Sequence, residues 1–155
     1  MLQNIQRTDN GHYAATVSKS ITIRANSKAV WTRVSDVMGL TDWVMNVKKT
    51  EPLSETRNGI GAVRKITFKD ASEVVEYVVG LKQEHYLSYI ATSGLPLDVY
   101  HATLSLSPKG RFTMLRWTSF LNSDGIDKAK FEEFVEFIGE FYEKSLKNLK
   151  EQIEK

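Results

Sequence analysis

The chain of 155 residues contains no cysteine, which excludes a disulfide framework, a thiol nucleophile and any cysteine-ligated metal. Proline is scarce, at three residues, and no apolar run approaches the roughly 20 residues that a membrane-spanning helix requires. An excess of one charge is missing too. Twenty-one basic and 19 acidic residues leave a formal charge of +2, with the signs interspersed. Nucleic-acid binding, which needs a concentrated basic stripe, has no electrostatic basis in this pattern. His12, His85 and His101 lack metal-ligand spacing, and there is no nucleophile elbow, phosphate-binding loop or dinucleotide fingerprint. No metal and no cofactor is therefore expected. Met1 to His12 is polar, without the apolar centre of a signal peptide. It reads as a loosely held tail, and a soluble cytoplasmic protein is the expectation.

What is present is ordinary in composition, with 41% apolar and 26% charged residues, and long enough for one domain, residues 1–155, with a substantial core. The stretch from Asp124 to Lys155 organises the rest. At 100° per residue, Phe131, Phe134, Val135, Phe141, Tyr142 and Leu149 lie within roughly 60° of Ile138, an apolar stripe along one helix. Lys130, Glu133, Glu140, Lys144, Lys147, Asn148 and Glu151 occupy the other side, and Asp124 and Asp127 put negative charge at the amino end. A helix of about 30 residues spans roughly 45 Å and needs a large sheet beneath it. Ser145 and Gly139 interrupt the stripe. Either the helix roofs a partly empty space there, or the serine bonds back to its own i−4 carbonyl and the glycine permits close approach of another backbone.

Upstream, Tyr13 to Ala25 reads as a strand, and Asn26 and Ser27 stand where a helix cap belongs, before Ala29, Val30, Trp31 and Val34. Asp36 to Val47 continues as a second short helical or irregular piece. Six strands follow: Lys48 to Glu55, Gly61 to Phe68, Glu73 to Lys82, Tyr86 to Thr92, Val99 to Ser107 and Phe112 to Leu121. Short turn-rich links join them into an antiparallel meander. The expected architecture is α+β, a curved antiparallel sheet folded around the terminal helix.

A tight turn at Lys69 and Asp70 pairs residues whose numbers sum to about 140, which sets Arg64 opposite Glu76, Ile66 opposite Val74 and Phe68 opposite Ser72 on one face. Directed inward, Arg64 and Glu76 form an ion pair within the concavity; directed outward, they are a surface pair of little consequence. Tyr89 and Tyr100 share their alternation with Ala91, Ala102, Leu104 and Leu106, which suits a cavity wall carrying a few hydroxyls. Both faces of the strand from Phe112 to Leu121 are mixed, so its orientation stays open. Glu76, the two tyrosines, Arg64, Arg116 and His101 are the candidate proton-transfer groups.

The phrases Val30-Trp31, Val34-Ser35-Asp36, Leu40 and Trp43, then Gly59-x-Gly61-Ala62-Val63-Arg64, Glu76, Leu87-Ser88-Tyr89, Tyr100-His101-Ala102-Thr103-Leu104, Pro108 and Trp117 resemble, in order, the polyketide cyclase/dehydrase and lipid-transport proteins. These belong to the START-related superfamily that includes the birch-pollen allergen and the plant abscisic-acid receptors. The resemblance spans about Thr16 to Leu149. It implies a helix-grip fold, with a seven-stranded antiparallel sheet curled around the long carboxy-terminal helix. Two short helices would close the sheet over a deep, mostly apolar cavity. It also implies that Arg64, Glu76, Tyr89 and Tyr100 face that cavity. Ser93-Gly94-Leu95-Pro96 resembles a gate motif of the hormone receptors but falls one hairpin later, so the gate function does not carry over, and no catalytic set transfers.

The leading expectation is a binding protein for a small hydrophobic or amphipathic molecule such as a lipid, isoprenoid, polyketide or aromatic metabolite. Ile66, Phe68, Phe134, Ile138, Phe141 and Tyr142 would form apolar wall, Arg64, Glu76, Tyr89 and Tyr100 would orient a polar group, and Trp43, Leu95 and Pro96 would guard the entrance. One alternative is a cyclase or dehydratase using the same cavity, with Glu76 as base and Arg64 or a tyrosine stabilising an enolate. Another is a co-chaperone-like interaction module. A homodimer through a sheet edge or the Trp43 region is a further expectation.

Overall fold

Two side chains set the starts of the helices. In the computed structural model, which describes residues 5–155, Asn26 caps helix α1 (Ser27–Val34) by accepting from the Ala29 amide, 2.8 Å. Asp127 caps helix α2 (Lys128–Ile153) by accepting from the Lys130 amide at the same distance. Each satisfies an amide that the first turn leaves without a partner. Between α1 and the meander, the second short piece is a single 3-10 turn, Gly39–Asp42.

The strands are β1 (Gln6–Arg7), β2 (Tyr13–Ile23), β3 (Val47–Pro52), β4 (Val63–Phe68), β5 (Glu73–Lys82), β6 (Tyr86–Ser93), β7 (Leu97–Lys109) and β8 (Phe112–Ser123). They form one antiparallel sheet in the order β1-β2-β8-β7-β6-β5-β4-β3. β1 adds an eighth strand to the seven expected. Part of the stretch read as a tail turns back on itself, with Gln6 and Arg7 paired to Ala14 and Tyr13, while residues 1–4 lie outside the described residues. Irregularities at Val75/Glu76 and Val78/Gly80 interrupt the β5–β6 ladder; such bulges bend a strand and increase its twist. Arg64 pairs with Glu76 and Ile66 with Val74, the register that the Lys69–Asp70 turn implied.

Orientation of β8 follows from burial. Thr113, Leu115, Trp117, Ser119, Leu121 and Ser123 are covered, whereas Phe112 and Phe120 are exposed on the convex side. The helix α2 buries Phe131, Val135, Ile138, Tyr142, Leu146 and Leu149 against this concave face. The two interruptions of its stripe are not gaps. A Cβ on Gly139 would stand 3.4 Å from Lys19 Cε and 3.9 Å from Val17 Cγ1, so glycine there lets the helix lie close to β2. Ser145 is fully buried, and its hydroxyl accepts from the Met45 amide at 3.0 Å.

Ser145 belongs to a set of polar anchors. Asn148, read as part of the solvated face, donates to the Trp43 carbonyl at 3.1 Å, and Gln152 donates to the Asp42 carbonyl at 2.6 Å. The carboxy-terminal half of α2 thus holds residues 42–45, a stretch with no sheet partner for its backbone, as the need to satisfy buried peptide groups demands. Ser145→Ala should strand the Met45 amide and lower stability by about 1–3 kcal/mol, read in urea as a lower midpoint with unchanged slope.

Candidate functional site

Arg64 on β4 is buried, so its charge must be balanced by its neighbours. Its Nε and Nη2 donate to the same oxygen, Oε1 of Glu76, at 3.0 and 2.7 Å, and Nη1 donates to the Val37 carbonyl at 2.9 Å. The side chains are only 6% and 9% exposed. The guanidinium also lies 5.2 Å from the centroid of the Tyr89 ring, a cation–π position. Glu76 Oε2 accepts no hydrogen bond from any described residue. Burial pushes the Glu76 carboxyl above the ordinary glutamate range, and the charge and hydrogen bonds of Arg64 draw it only part of the way back.

Beside this pair runs a chain of aromatic polar groups. Trp117 Nε1 donates to the Tyr89 hydroxyl at 3.0 Å, the Tyr89 and Tyr100 hydroxyls are 3.2 Å apart, and the Tyr100 hydroxyl bonds to that of Tyr142. Burial is the largest influence on all three phenols and pushes each one up. They remain neutral hydroxyls, donors as well as acceptors.

Arg64, Glu76, Tyr89, Tyr100 and Trp117 form the inner end of a cavity of about 440 Å³ between the sheet and α2. Val34, Leu40, Val74, Leu87, Leu104 and Ile138 add apolar wall. Lining residues that reach solvent cluster at the other end, on the β4–β5 turn (Lys69, Asp70, Ser72), on Gly94 of the β6–β7 turn and at Phe137, which places the mouth there. Gly94 is required at this point: its φ is +98°, and a Cβ would stand 2.0 Å from the Glu73 carbonyl oxygen. The close crossing sets Leu95 and Pro96 over the opening.

Of the residues singled out from sequence, Arg64, Ile66, Phe68, Glu76, Tyr89, Tyr100, Phe134, Ile138 and Phe141 all line this cavity, as do Trp43, Leu95 and Pro96. Two of them stand differently from the expectation. Tyr142 lies behind the wall, stacked on Trp117 with ring centroids 4.0 Å apart. Trp43 is no exposed guard: it is 1% exposed and packs 5.6 Å from Trp117. His12 instead pairs with Asp98 at 3.0 Å, and His85 contacts the Gln83 carbonyl. Neither these histidines nor His101 reaches the cavity.

Phe137, Trp117 and Val74 were missed. Phe137 sits 100° off the helix stripe, and its one legible signal is an aromatic ring on an otherwise charged face. It is 56% exposed and stacks on Phe141 with centroids 6.1 Å apart. Trp117 waited on the orientation of β8. Val74 was already fixed by its pairing with Ile66.

The fold is shared with solved structures at low sequence identity. A protein from Thermobifida fusca is 23% identical, with a TM-score of 0.77, over 89% of this chain and 92% of that one. An aromatase/cyclase from Streptomyces sp. R1128 is 17% identical with a TM-score of 0.77, over 91% and 94%. A START superfamily protein from Mycobacterium smegmatis is 16% identical with a TM-score of 0.73, over 92% and 99%. No curated protein matches the sequence. The family model described as polyketide cyclase / dehydrase and lipid transport matches residues 14–154, nearly the whole chain, and the chain belongs to that family.

Proposed function

We propose that the protein encloses a small, mostly apolar molecule carrying one polar group, with its apolar body against the walls and its polar group at the inner end. The observation that carries this reading is the 440 Å³ cavity, whose polar groups are gathered around Arg64, Glu76, Tyr89 and Tyr100 while Ile66, Phe134, Ile138 and Phe141 supply apolar surface. Its volume lies within the range of roughly 300–1,000 Å³ usual for small-molecule sites. Apolar contact contributes about 25 cal/mol per Å² buried, and a few fixed polar groups choose among bodies of similar shape.

A second reading has one observation in its favour. Glu76 offers an unbonded oxygen on a carboxyl whose proton affinity is raised by burial, which suits a general base. In a cyclase or dehydratase it would take a proton from carbon next to a carbonyl, while a tyrosine hydroxyl donates to the developing enolate oxygen. The co-chaperone-like alternative finds less support. The apolar side chains exposed on the convex face, among them Tyr77, Val79, Val99, Phe112 and Phe120, stand among polar residues such as Glu73, His101 and Thr118.

Native mass spectrometry of the purified chain tests the first reading: a stoichiometric adduct absent from the denatured mass is expected. Ile138→Trp fills the cavity from α2. It should abolish the adduct while costing the fold only about 1–3 kcal/mol, and an adduct that survives in the folded variant places the ligand elsewhere. If the enzyme reading holds, Glu76→Gln eliminates turnover of a substrate that the folded variant still binds; unchanged turnover removes Glu76 as base. The raised Glu76 pKa also fixes a sign. A carboxyl with a higher pKa folded than unfolded contributes stability that is full below the ordinary glutamate value, about 4.3, and is lost as pH rises through the folded value. The urea-unfolding free energy of the wild type minus that of Glu76→Gln should therefore shrink as pH rises from about 4.3. Growth over that window would mean that Arg64 outweighs burial.

A further inference from the structure

We infer that the inner end of the cavity is matched to a neutral hydroxyl-bearing head, an alcohol or a phenol, and discriminates against an anionic head such as a carboxylate. The inference rests on the proposal that the cavity encloses a ligand, and adds the chemical class of its polar group.

Arg64 looks at first like a clamp for an anion. Its charge is already balanced by Glu76: of its five N–H groups two are spent on Glu76 Oε1 and a third on the Val37 carbonyl, and its face lies against Tyr89. Among the residues lining the cavity the other cation is Lys69, exposed at the mouth beside Asp70. An anionic head at the inner end would meet the Glu76 carboxylate with no cation left over, and like charges at such range repel strongly in a medium of low polarity. Glu76 Oε2 is left as an acceptor, on a side chain nine-tenths buried and without a described partner.

Proton counting supplies the complementary group. The hydroxyls of Tyr89, Tyr100 and Tyr142 carry three protons, and the two links that join them use two. The third proton resides on Tyr89, Tyr100 or Tyr142 according to how the chain is oriented. In two of these three arrangements it is on a residue that lines the cavity. Trp117 Nε1 already donates to Tyr89, which strengthens that hydroxyl as a donor, to Tyr100 or into the cavity. The inner end thus presents a carboxylate acceptor beside a phenolic donor. A hydroxyl head gives one hydrogen bond and receives one, and it satisfies both. A carboxylate can only receive.

Three probes with one ring system and different heads separate this inference from the cavity proposal: naphthalene, 2-naphthol and 2-naphthoate, compared by equilibrium dialysis against the full chain at neutral pH. The expected result is 2-naphthol retained at least about tenfold more tightly than 2-naphthoate, with naphthalene also weaker than 2-naphthol because it leaves the buried acceptor unmet. Naphthalene binding together with 2-naphthoate at or above 2-naphthol overturns the assignment of the head and leaves the cavity proposal standing. Retention of none of the three overturns both. In Glu76→Gln the head is no longer repelled, and the preference for 2-naphthol should fall to within about threefold. Should that variant fail to fold with Arg64 unpaired, the double substitution Arg64→Gln and Glu76→Gln, which buries no charge and keeps polar groups at the inner end, takes its place with the same expectation. An undiminished preference in either folded variant removes Glu76 as its source.

Discussion

A buried guanidinium must have its charge balanced by the chain itself, and the elements around Arg64 meet that requirement. Glu76 comes from β5, the Val37 carbonyl from the segment after α1, and the Tyr89 ring from β6. One side chain on β4 therefore ties two further strands and the segment between the short helices to a single point. Removing one member of such a buried pair costs about 3–5 kcal/mol, because the other is left charged and unmatched. The pair thus keeps open, at the inner end of the cavity, a polar spot that an apolar core would have closed.

Around that spot, packing and polarity divide the labour. Strands β6, β7 and β8 present Tyr89, Tyr100 and Trp117 from the concave face, and Tyr142 of α2 completes the hydroxyl chain from behind. The same helix anchors residues 42–45 through Ser145, Asn148 and Gln152. It grips the sheet with its apolar stripe and holds the opposite wall with polar residues at its carboxy-terminal end, so the two sides of the cavity are referenced to one rigid element. The mouth is less tightly framed, with Lys69, Asp70 and Phe137 meeting solvent.

Much of this was legible because local rules left few choices. A tight turn at Lys69 and Asp70 forces Arg64 opposite Glu76, and Asn26 and Asp127 announce helix starts by chemistry that has nowhere else to act. Bulk was misleading. Ser145 and Gly139 seemed to leave space because a helix stripe shows the size of side chains and not what the facing backbone brings; there it brings the Met45 amide and the β2 side chains. Trp43 looked like an entrance guard because its segment follows no regular period. Its burial depends on contacts with Trp117 and Asn148, more than 70 residues away in the chain. Phe137 was invisible for the opposite reason: a residue at a cavity mouth need not lie on the face that packs the core.

The placement of Trp43 and Trp117 has an optical consequence. Two of the three tryptophans of the chain line the cavity, tilted at 52° with ring centroids 5.6 Å apart, while Trp31 lies on α1 away from it. Indole emission responds to the polarity and mobility of what surrounds the ring, and two indoles at this distance couple their near-ultraviolet transitions. A molecule entering the cavity would therefore alter the emission and the near-ultraviolet circular dichroism of these two indoles. Entry of a ligand would thus be readable without an added label.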